Sequence, residues 1–201
     1  HPRARVAEAL RSLNRDASCD AATLGSLDAL ASGALAVVTG QQVGLFGGPL
    51  YTLYKALTAV RLAEWAGAEL GTKVVPVFWM DTDDHDFAEV QKSYLVDRDG
   101  ELRQLLYEST RGVERLPVGS LVLERAVENL MSSASNALPD TEFKADIFGT
   151  LKECYVPGRT MAQAFGAWLH HMTRGTGLII VDPSLQELKA LGSDLFLREV
   201  E

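Results

Sequence analysis

The sequence has few of the features that mark several large classes of protein. Only two of its 201 residues are cysteine, Cys19 and Cys154, and they do not form a CxxC pair. A disulfide framework is therefore not indicated, and a reduced cytoplasmic protein is the simplest interpretation. No apolar run approaches the roughly 18–20 residues that a membrane span needs, so no membrane partner is expected.

Clustered positive charge is missing as well. The chain has 19 Lys and Arg against 27 Asp and Glu, a net charge of −8. Nucleic-acid binding depends on clustered Lys and Arg that neutralise phosphates, so we expect no nucleic-acid partner. Apolar residues make up 47% of the chain, which is enough for a globular core.

Several widespread motifs are absent, among them G-x-G-x-x-G, Gly-Lys-Ser/Thr, G-x-S-x-G and H-E-x-x-H. The chain also has no initiator Met and stops inside a helical pattern at Glu201. We therefore expect an incomplete piece of a longer polypeptide.

The apolar patterning predicts an α/β fold with a parallel sheet. Short apolar runs at 34–39, 74–80 and 178–181 are typical of buried strands. Two strands joined by a long helix form a βαβ unit. Other segments predict a hairpin around Asp99-Gly100, and helices at 4–16, 21–32, about 50–70, 122–137, 142–154, 159–174 and from about 184. We expect 1–92 and 176–201 to form the core, with 93–175 as an inserted connecting segment of hairpin and helices.

Three finer expectations concern single side chains. The long helix should bury a stripe of Leu50, Leu53, Leu57 and Val60. The three tryptophans, Trp65, Trp79 and Trp168, lie on apolar patterns typical of a core. His170 and His171 lie near the end of a predicted helix, where the helix dipole favours a cation, so we expect them to cap the helix rather than to bind a metal.

A glycine-rich segment separates the first predicted strand from the long helix. It includes Gly44 and ends at Pro49, a residue favoured at a helix start. Glycine lets the backbone approach a ligand closely, and a helix start attracts anions. The candidate anion- or substrate-binding residues are Gly40, Gln41, Gln42, Gly47, Gly48 and Lys55. The alternative is a tight turn that binds nothing, with Lys55 in solvent.

The second predicted strand ends in an acidic cluster with one histidine. Open α/β sheets bind ligands at the carboxyl ends of their strands, and an imidazole beside carboxylates suits proton transfer. The candidate catalytic residues are His85, Asp84 and Asp83. Asp86, followed by Glu89, also fits a helix N-cap. Asp182, at the end of the third strand, likewise fits either a site residue or a helix N-cap.

The most specific stretch of the chain is Thr39-Gly-Gln-Gln-Val-Gly-Leu-Phe-Gly-Gly-Pro-Leu-Tyr-Thr-Leu-Tyr-Lys-Ala. With Val75-Pro-Val-Phe-Trp-Met, Asp84-His-Asp-Phe-Ala-Glu-Val, Tyr94-Leu-Val-Asp-Arg-Asp-Gly-Glu-Leu and Gly177-Leu-Ile-Ile-Val-Asp-Pro, it resembles the bacillithiol-biosynthesis cysteine-adding family. The resemblance implies a Rossmann-like core with inserted connecting segments, similar to class I aminoacyl-tRNA synthetases and nucleotidyltransferases.

The same resemblance implies a reaction. The family is expected to join the carboxylate of cysteine to the amine of glucosaminyl-malate, and to dimerise through a C-terminal coiled coil that this chain lacks. ATP and Mg²⁺ stay open as cofactors, and no metal ligand is assigned. The alternative is a Mg²⁺-dependent phosphohydrolase of the haloacid-dehalogenase type, with Asp81 and Asp83 as its motif.

Overall fold

The computed structural model describes residues 2–109 and 116–200, with the side chains of 194–200 left undescribed. The chain divides into two units. The first lies within His1–Gln41, Tyr51–Asp81 and His170–Glu201, and the second comprises Gln42–Leu50 and Thr82–Leu169.

The first unit is built on a three-stranded parallel sheet. Its strands are β1 (Leu35–Gln42), β2 (Val74–Asp81) and β5 (Ile179–Val181), in the order β1-β2-β5. The register of β2 with β5 pairs Val77 with Ile179 and Trp79 with Val181. The predicted parallel sheet is therefore confirmed, with β2 as its central strand.

Four helices belong to the first unit: α1 (Pro2–Asp16), α2 (Ala21–Ala31), α3 (Tyr51–Leu70) and α8 (Gln186–Val200). Asp20 caps α2, because its carboxylate accepts a hydrogen bond from the Thr23 N–H. Buried side chains of α1, α2, β2 and β5, together with Ala34 just before β1, form one core cluster, which consists of Leu10, Leu27, Ala34, Val75, Val77, Ile179 and Val181.

The buried face of α3 differs from the expected one. The helix buries a stripe of small side chains: Thr52, Ala56, Ala59, Val60 and Ala63. Of the predicted stripe, Val60 is buried, Leu53 is half-buried, and Leu50 and Leu57 are exposed. Small residues let α3 approach the sheet closely, so its larger apolar side chains point away from it.

Two further burial expectations are wrong. The strand β1 was expected to be buried, yet its Leu35 and Val38 side chains are exposed. Trp65 and Trp79 are also exposed rather than core residues, and Trp168 is half-buried.

The outer edge of β5 is closed by the side chain of Asn14, which lies in α1 and is fully buried. Its Nδ2 donates to the Ile180 carbonyl at 2.9 Å, and its Oδ1 accepts from the Ile180 N–H at 2.9 Å. These two hydrogen bonds are the ones that the backbone of a neighbouring strand would make with Ile180.

His170 completes this buried group. Its Nε2 lies 2.9 Å from Asn14 Oδ1, and the two bonds to Ile180 fix the orientation of the Asn14 amide. Nε2 must therefore be the nitrogen that carries the proton in the neutral ring. Burial lowers the pKa of His170 to about 4. The expected role as a charged helix cap is wrong, because His170 is a buried neutral donor.

The second unit contains a short helix α4 (Phe87–Val90), the hairpin of β3 (Lys92–Val96) and β4 (Leu102–Leu106), and the helices α5 (Ala126–Ala137) and α6 (Lys144–Cys154). It also contains the helix α7 (Met161–Met172) up to Leu169, and the last turn of that helix belongs to the first unit. The predicted hairpin is confirmed. Its turn is held by the buried Asp97 carboxylate, which accepts from Arg103 Nε and from the N–H groups of Asp99 and Glu101.

The predicted helices of the second unit are present, but α5 starts four residues late because Val122 instead forms an isolated bridge with Thr160. Among the described residues, no helix is both long enough and apolar enough to cross a membrane.

Candidate functional site

The glycine-rich loop packs against other residues of the second unit. Val43 and Leu45 are fully buried, and a 3₁₀ turn covers Leu45–Gly47. The Tyr155 hydroxyl accepts a hydrogen bond from the Gly47 N–H at 2.7 Å and donates to the Gly44 carbonyl at 2.8 Å. Burial raises the pKa of Tyr155 far above its usual value, so the hydroxyl stays protonated.

Two of the loop glycines are required by close contacts and backbone angles. A Cβ at Gly47 would lie 2.5 Å from the Trp168 ring, and its φ of 91° favours glycine. Gly48 has a φ of 70° and its N–H donates to the Leu45 carbonyl. The N–H groups of Gly47 and Gly48 are thus already bonded, and an anion would have to displace these bonds.

A polar group surrounds the side chain of Lys55 in the first unit. Lys55 Nζ donates to Gln41 Oε1 at 2.8 Å and to the Gly40 carbonyl at 3.2 Å, and it lies 5.5 Å from the centre of the Tyr51 ring. Gln41 Nε2 lies 3.4 Å from the Tyr51 hydroxyl. Both hydrogen-bond acceptors of the ammonium are uncharged, so its charge is available to an anionic ligand.

The second group is a turn of the second unit, residues 82–86, which we call the Asp84 turn. Gln42 Nε2 donates to Asp84 Oδ2, while Asp84 Oδ1 accepts from the N–H groups of His85 at 2.6 Å and Asp86 at 3.2 Å. Because the carboxylate accepts three hydrogen bonds, it fixes the backbone on which His85 is carried.

The segment around Val118 and Gly119 also holds the Asp84 turn, through backbone hydrogen bonds. The Val118 N–H donates to the Asp84 carbonyl at 2.7 Å, and the Gly119 N–H donates to the Thr82 carbonyl at 3.0 Å. A Cβ at Gly119 would lie 2.4 Å from the Thr82 Cβ, so glycine is needed for this approach. The turn is therefore rigidly supported within its unit.

The remaining acidic residues have different environments. His85 is exposed and Asp83 is half-buried, whereas Asp81 is the exposed last residue of β2. Asp86 caps α4 by accepting from the Glu89 N–H at 3.1 Å, which confirms the capping interpretation. Asp182 is buried and accepts hydrogen bonds from the Ser184 N–H and hydroxyl, a turn contact that precedes α8.

The side chains of the Asp84 turn are not arranged as a metal site. Asp84 uses both carboxylate oxygens for hydrogen bonds, three in all. In the parts of the chain that the structure describes, no three His, Cys, Asp or Glu side chains are grouped so as to hold a metal ion. No metal ligand is therefore assigned among the described residues.

The structure brings together two sets of the predicted residues, Gly40 with Gln41 and Lys55, and Gln42 with Asp84. Tyr51 and Tyr155 were missed. Tyr51 lies one helical turn before Lys55, a spacing that could have revealed it. Tyr155 reaches the loop from more than a hundred positions away, and no local pattern signals such a contact.

Comparison with known proteins gives a consistent result. A family model described as "Bacillithiol biosynthesis BshC, N-terminal Rossmann-like domain" matches residues 1–201. A relative from Koribacter versatilis (strain Ellin345), named "Putative cysteine ligase BshC", is 42% identical over 198 residues, which cover 98% of this chain and 36% of the relative.

Two further relatives carry the same name. The one from Salinibacter ruber (strain DSM 13855 / M31) is 38% identical over 169 residues, covering 83% of this chain and 30% of the relative. The one from Symbiobacterium thermophilum is 35% identical over 211 residues, covering 99% of this chain and 38% of the relative. The chain thus spans about a third of the length of these relatives. The comparisons do not support a phosphohydrolase that uses Asp81 and Asp83.

Proposed function

The chain belongs to the bacillithiol biosynthesis BshC family, as its N-terminal Rossmann-like domain, and on this basis we propose that the protein is a cysteine ligase. It joins the carboxylate of cysteine to the amine of glucosaminyl-malate by an amide bond. The name shared by its relatives supports the reaction class, and each of the two units carries a polar group that suits a role in it.

The contact between Gln42 and Asp84 carries the assignment of catalytic residues. It holds the Asp84 turn, which carries the exposed His85. When an amine attacks an activated carboxyl carbon, the carbon–nitrogen bond forms, the bond to the activated oxygen breaks, and the amine loses a proton that a positioned imidazole can accept. His85 is the proposed base and Asp84 its positioning residue, and Asp83 is retained as a second carboxylate beside it.

Substrate binding is proposed for the Lys55 group. Both substrates carry carboxylates, and the Lys55 ammonium beside Gln41 and the Gly40 carbonyl offers a charge with two polar neighbours. Gln42 is assigned to positioning, because its amide is engaged by Asp84. Gly47 and Gly48 are assigned to the packing of the loop, since their N–H groups are bonded within it.

We also propose a cytoplasmic location, and dimerisation of longer family members through a C-terminal coiled coil. We propose ATP as the activating nucleotide to test, because the family resemblance implies a fold similar to nucleotidyltransferases. No step is assigned to a metal.

The test uses the product of the complete reading frame that contains these 201 residues, which we call the full-length protein. Incubated with cysteine, glucosaminyl-malate and ATP, it should form bacillithiol, detected by mass spectrometry. His85→Asn should lower turnover by about 10²–10⁴-fold. Asp86→Asn, the matched control one residue away, should stay near wild type because asparagine also caps helices.

Two results would contradict the proposal. A full-length protein that is folded but forms no bacillithiol removes the ligase assignment. A His85→Asn variant with normal turnover, while Asp86→Asn is inactive and both have unchanged circular dichroism, removes the assignment of roles but not the reaction.

A further inference from the structure

A cavity of about 330 Å³ lies within the first unit, at the amino end of the central strand β2. It is bordered by α2, α3, the first residues of β2 and the segment that precedes β5. The Lys55 ammonium bonds to Gly40 and Gln41 near the carboxyl end of β1, which is the other end of the sheet. Because a strand advances by about 3.3 Å per residue, the length of β2 separates the two places by roughly 20 Å. The cavity is therefore distinct from the candidate substrate-binding group.

Two residues leave the amino end of β2 open. The pairing of β2 with β5 begins at Val77 and Ile179, and Pro76, one residue earlier, has no N–H to extend it. The segment before β5 turns instead at Gly177, whose φ of 73° is rare for other residues. The cavity lies where the pairing stops, and Pro76 and Thr176 border it.

A buried hydroxyl borders this cavity without a partner. Ser26, in α2, is only 5% exposed and forms part of the cavity wall. Its Oγ lies 2.6 Å from the position that a Cβ on Gly177 would take, so it points toward the segment that precedes β5. In the described parts of the chain, no residue makes a hydrogen bond with this hydroxyl. Burying a hydroxyl without a hydrogen bond is unfavourable, so a ligand that bonds to Ser26 is favoured.

Two opposite charges border the same cavity. Lys73 is exposed, and it makes no ion pair with any residue that the structure describes. Glu64 pairs with Arg61 at 3.0 Å, and both side chains of that pair are largely exposed. Because an exposed ion pair contributes little stability, Glu64 is available to a second cation. The cavity thus offers a positive group to one part of a ligand and a negative group to another.

The size of the cavity and its apolar wall limit the ligand further. Val60, Ala63 and Val74 are buried side chains that border it. An apolar wall with a few polar groups is the usual composition of a ligand pocket. Ligand pockets range from about 300 to 1,000 Å³, so this cavity is at the small end and suits a small metabolite.

We propose that this cavity binds a free α-amino acid with a small apolar side chain. Lys73 and the Ser26 hydroxyl bind its carboxylate, Glu64 binds its ammonium group, and its side chain contacts Val60 and Ala63. The site is additional to the one proposed for the ligase reaction and does not depend on that assignment. A simple carboxylic acid without an amino group is the competing ligand, since Lys73 and Ser26 alone would bind it.

NMR of the full-length protein with ¹³C-labelled valine methyl groups tests the proposal, with L-valine as the probe. The Val60 and Val74 methyl signals should shift and saturate with L-valine, while those of Val127, buried in the second unit, should not. The matched probe 3-methylbutanoate is valine without its amino group. It should bind about tenfold more weakly, because it loses the charge-assisted contact with Glu64. No saturable shift of Val60 and Val74, or equal affinity for the two probes, overturns the proposal.

Substitutions at exposed positions locate the ligand without disturbing the core. Lys73→Gln should weaken L-valine binding about tenfold, and Glu64→Gln should remove the preference for L-valine over 3-methylbutanoate. Lys152→Gln, at an exposed position of α6, is the control and should bind like the wild type. Binding that is unchanged by Lys73→Gln but lost with Lys55→Gln overturns the proposal, because the ligand then occupies the Lys55 group. None of these measurements uses turnover, so their outcome is separate from that of the ligase assay.

Discussion

Lowering the pH should destabilise the chain through one buried side chain, His170. Burial lowers its pKa to about 4, an effect that the nearby Asp20 carboxylate partly opposes. An unfolded histidine has a pKa of about 6.5. Between these two values the unfolded chain binds more protons than the folded chain, so the free energy of unfolding decreases as the pH falls from about 6.5 toward 4.

The size of the effect follows from the two pKa values. A separation of about 2.5 units corresponds to roughly 3 kcal/mol when the pH is below both. At about pH 5 the loss is roughly 2 kcal/mol, because folded His170 is still mostly neutral there. Since small domains are stable by about 5–15 kcal/mol, this one side chain should shift the unfolding curve visibly.

The measurement is urea unfolding, followed by circular dichroism, at about pH 7.5 and about pH 5. His170→Gln removes the titrating group, so the stability difference between wild type and this variant should shrink by roughly 2 kcal/mol at the lower pH. His171→Gln, at the exposed neighbouring position, is the control. Its free energy of unfolding should fall between the two pH values by as much as that of the wild type. An unchanged difference between wild type and His170→Gln at the two pH values would refute the reasoning.

Two substitutions test close packing around the predicted site. Tyr155→Phe removes the hydroxyl bonded to the Gly47 N–H and one carbonyl, and it should lower the free energy of unfolding by roughly 2–4 kcal/mol because buried backbone groups lose their partners. Gly40→Ala places a Cβ 2.8 Å from the Trp79 carbonyl oxygen, so β1 and β2 must separate, and thermal unfolding should shift downward.

Each substitution has a matched control in the same chain. Tyr94→Phe removes a hydroxyl from an exposed tyrosine and should change the unfolding free energy by well under 1 kcal/mol. Gly149→Ala, where a Cβ meets nothing within 4 Å in the middle of α6, should stabilise the chain by up to about 1 kcal/mol. Equal effects of a test substitution and its control would contradict the packing described here.

The sequence was a good guide where one physical pattern dominated. The strands ending at Asp81 and Val181 and the hairpin around Asp99-Gly100 lie where their apolar runs and turn residues predict. The family resemblance drawn from Thr39–Ala56 is confirmed. The cap at Asp86 was also predictable, because a capping box is a local signal that depends on a few adjacent residues.

The sequence was a poor guide where two patterns competed or where partners are distant in the chain. α3 is apolar on both sides, so periodicity could not tell which side faces the sheet, and the larger leucines were wrongly chosen. Glycines that suit an anion equally suit close contact with an aromatic ring, as Gly47 does with Trp168. The bond of His170 to Asn14 joins residues 156 positions apart, beyond the reach of any local pattern.

The closure of β5 by Asn14 also limits how the domain can associate. In the language of polymer chemistry, a sheet with two free edges is a bifunctional monomer, which can add copies at both ends and grow into a fibre. With Ile180 already bonded on both its N–H and its carbonyl, the three-stranded sheet is monofunctional. Two copies of this sheet can therefore pair with each other through β1 but not through β5, so one buried asparagine limits growth by the addition of copies.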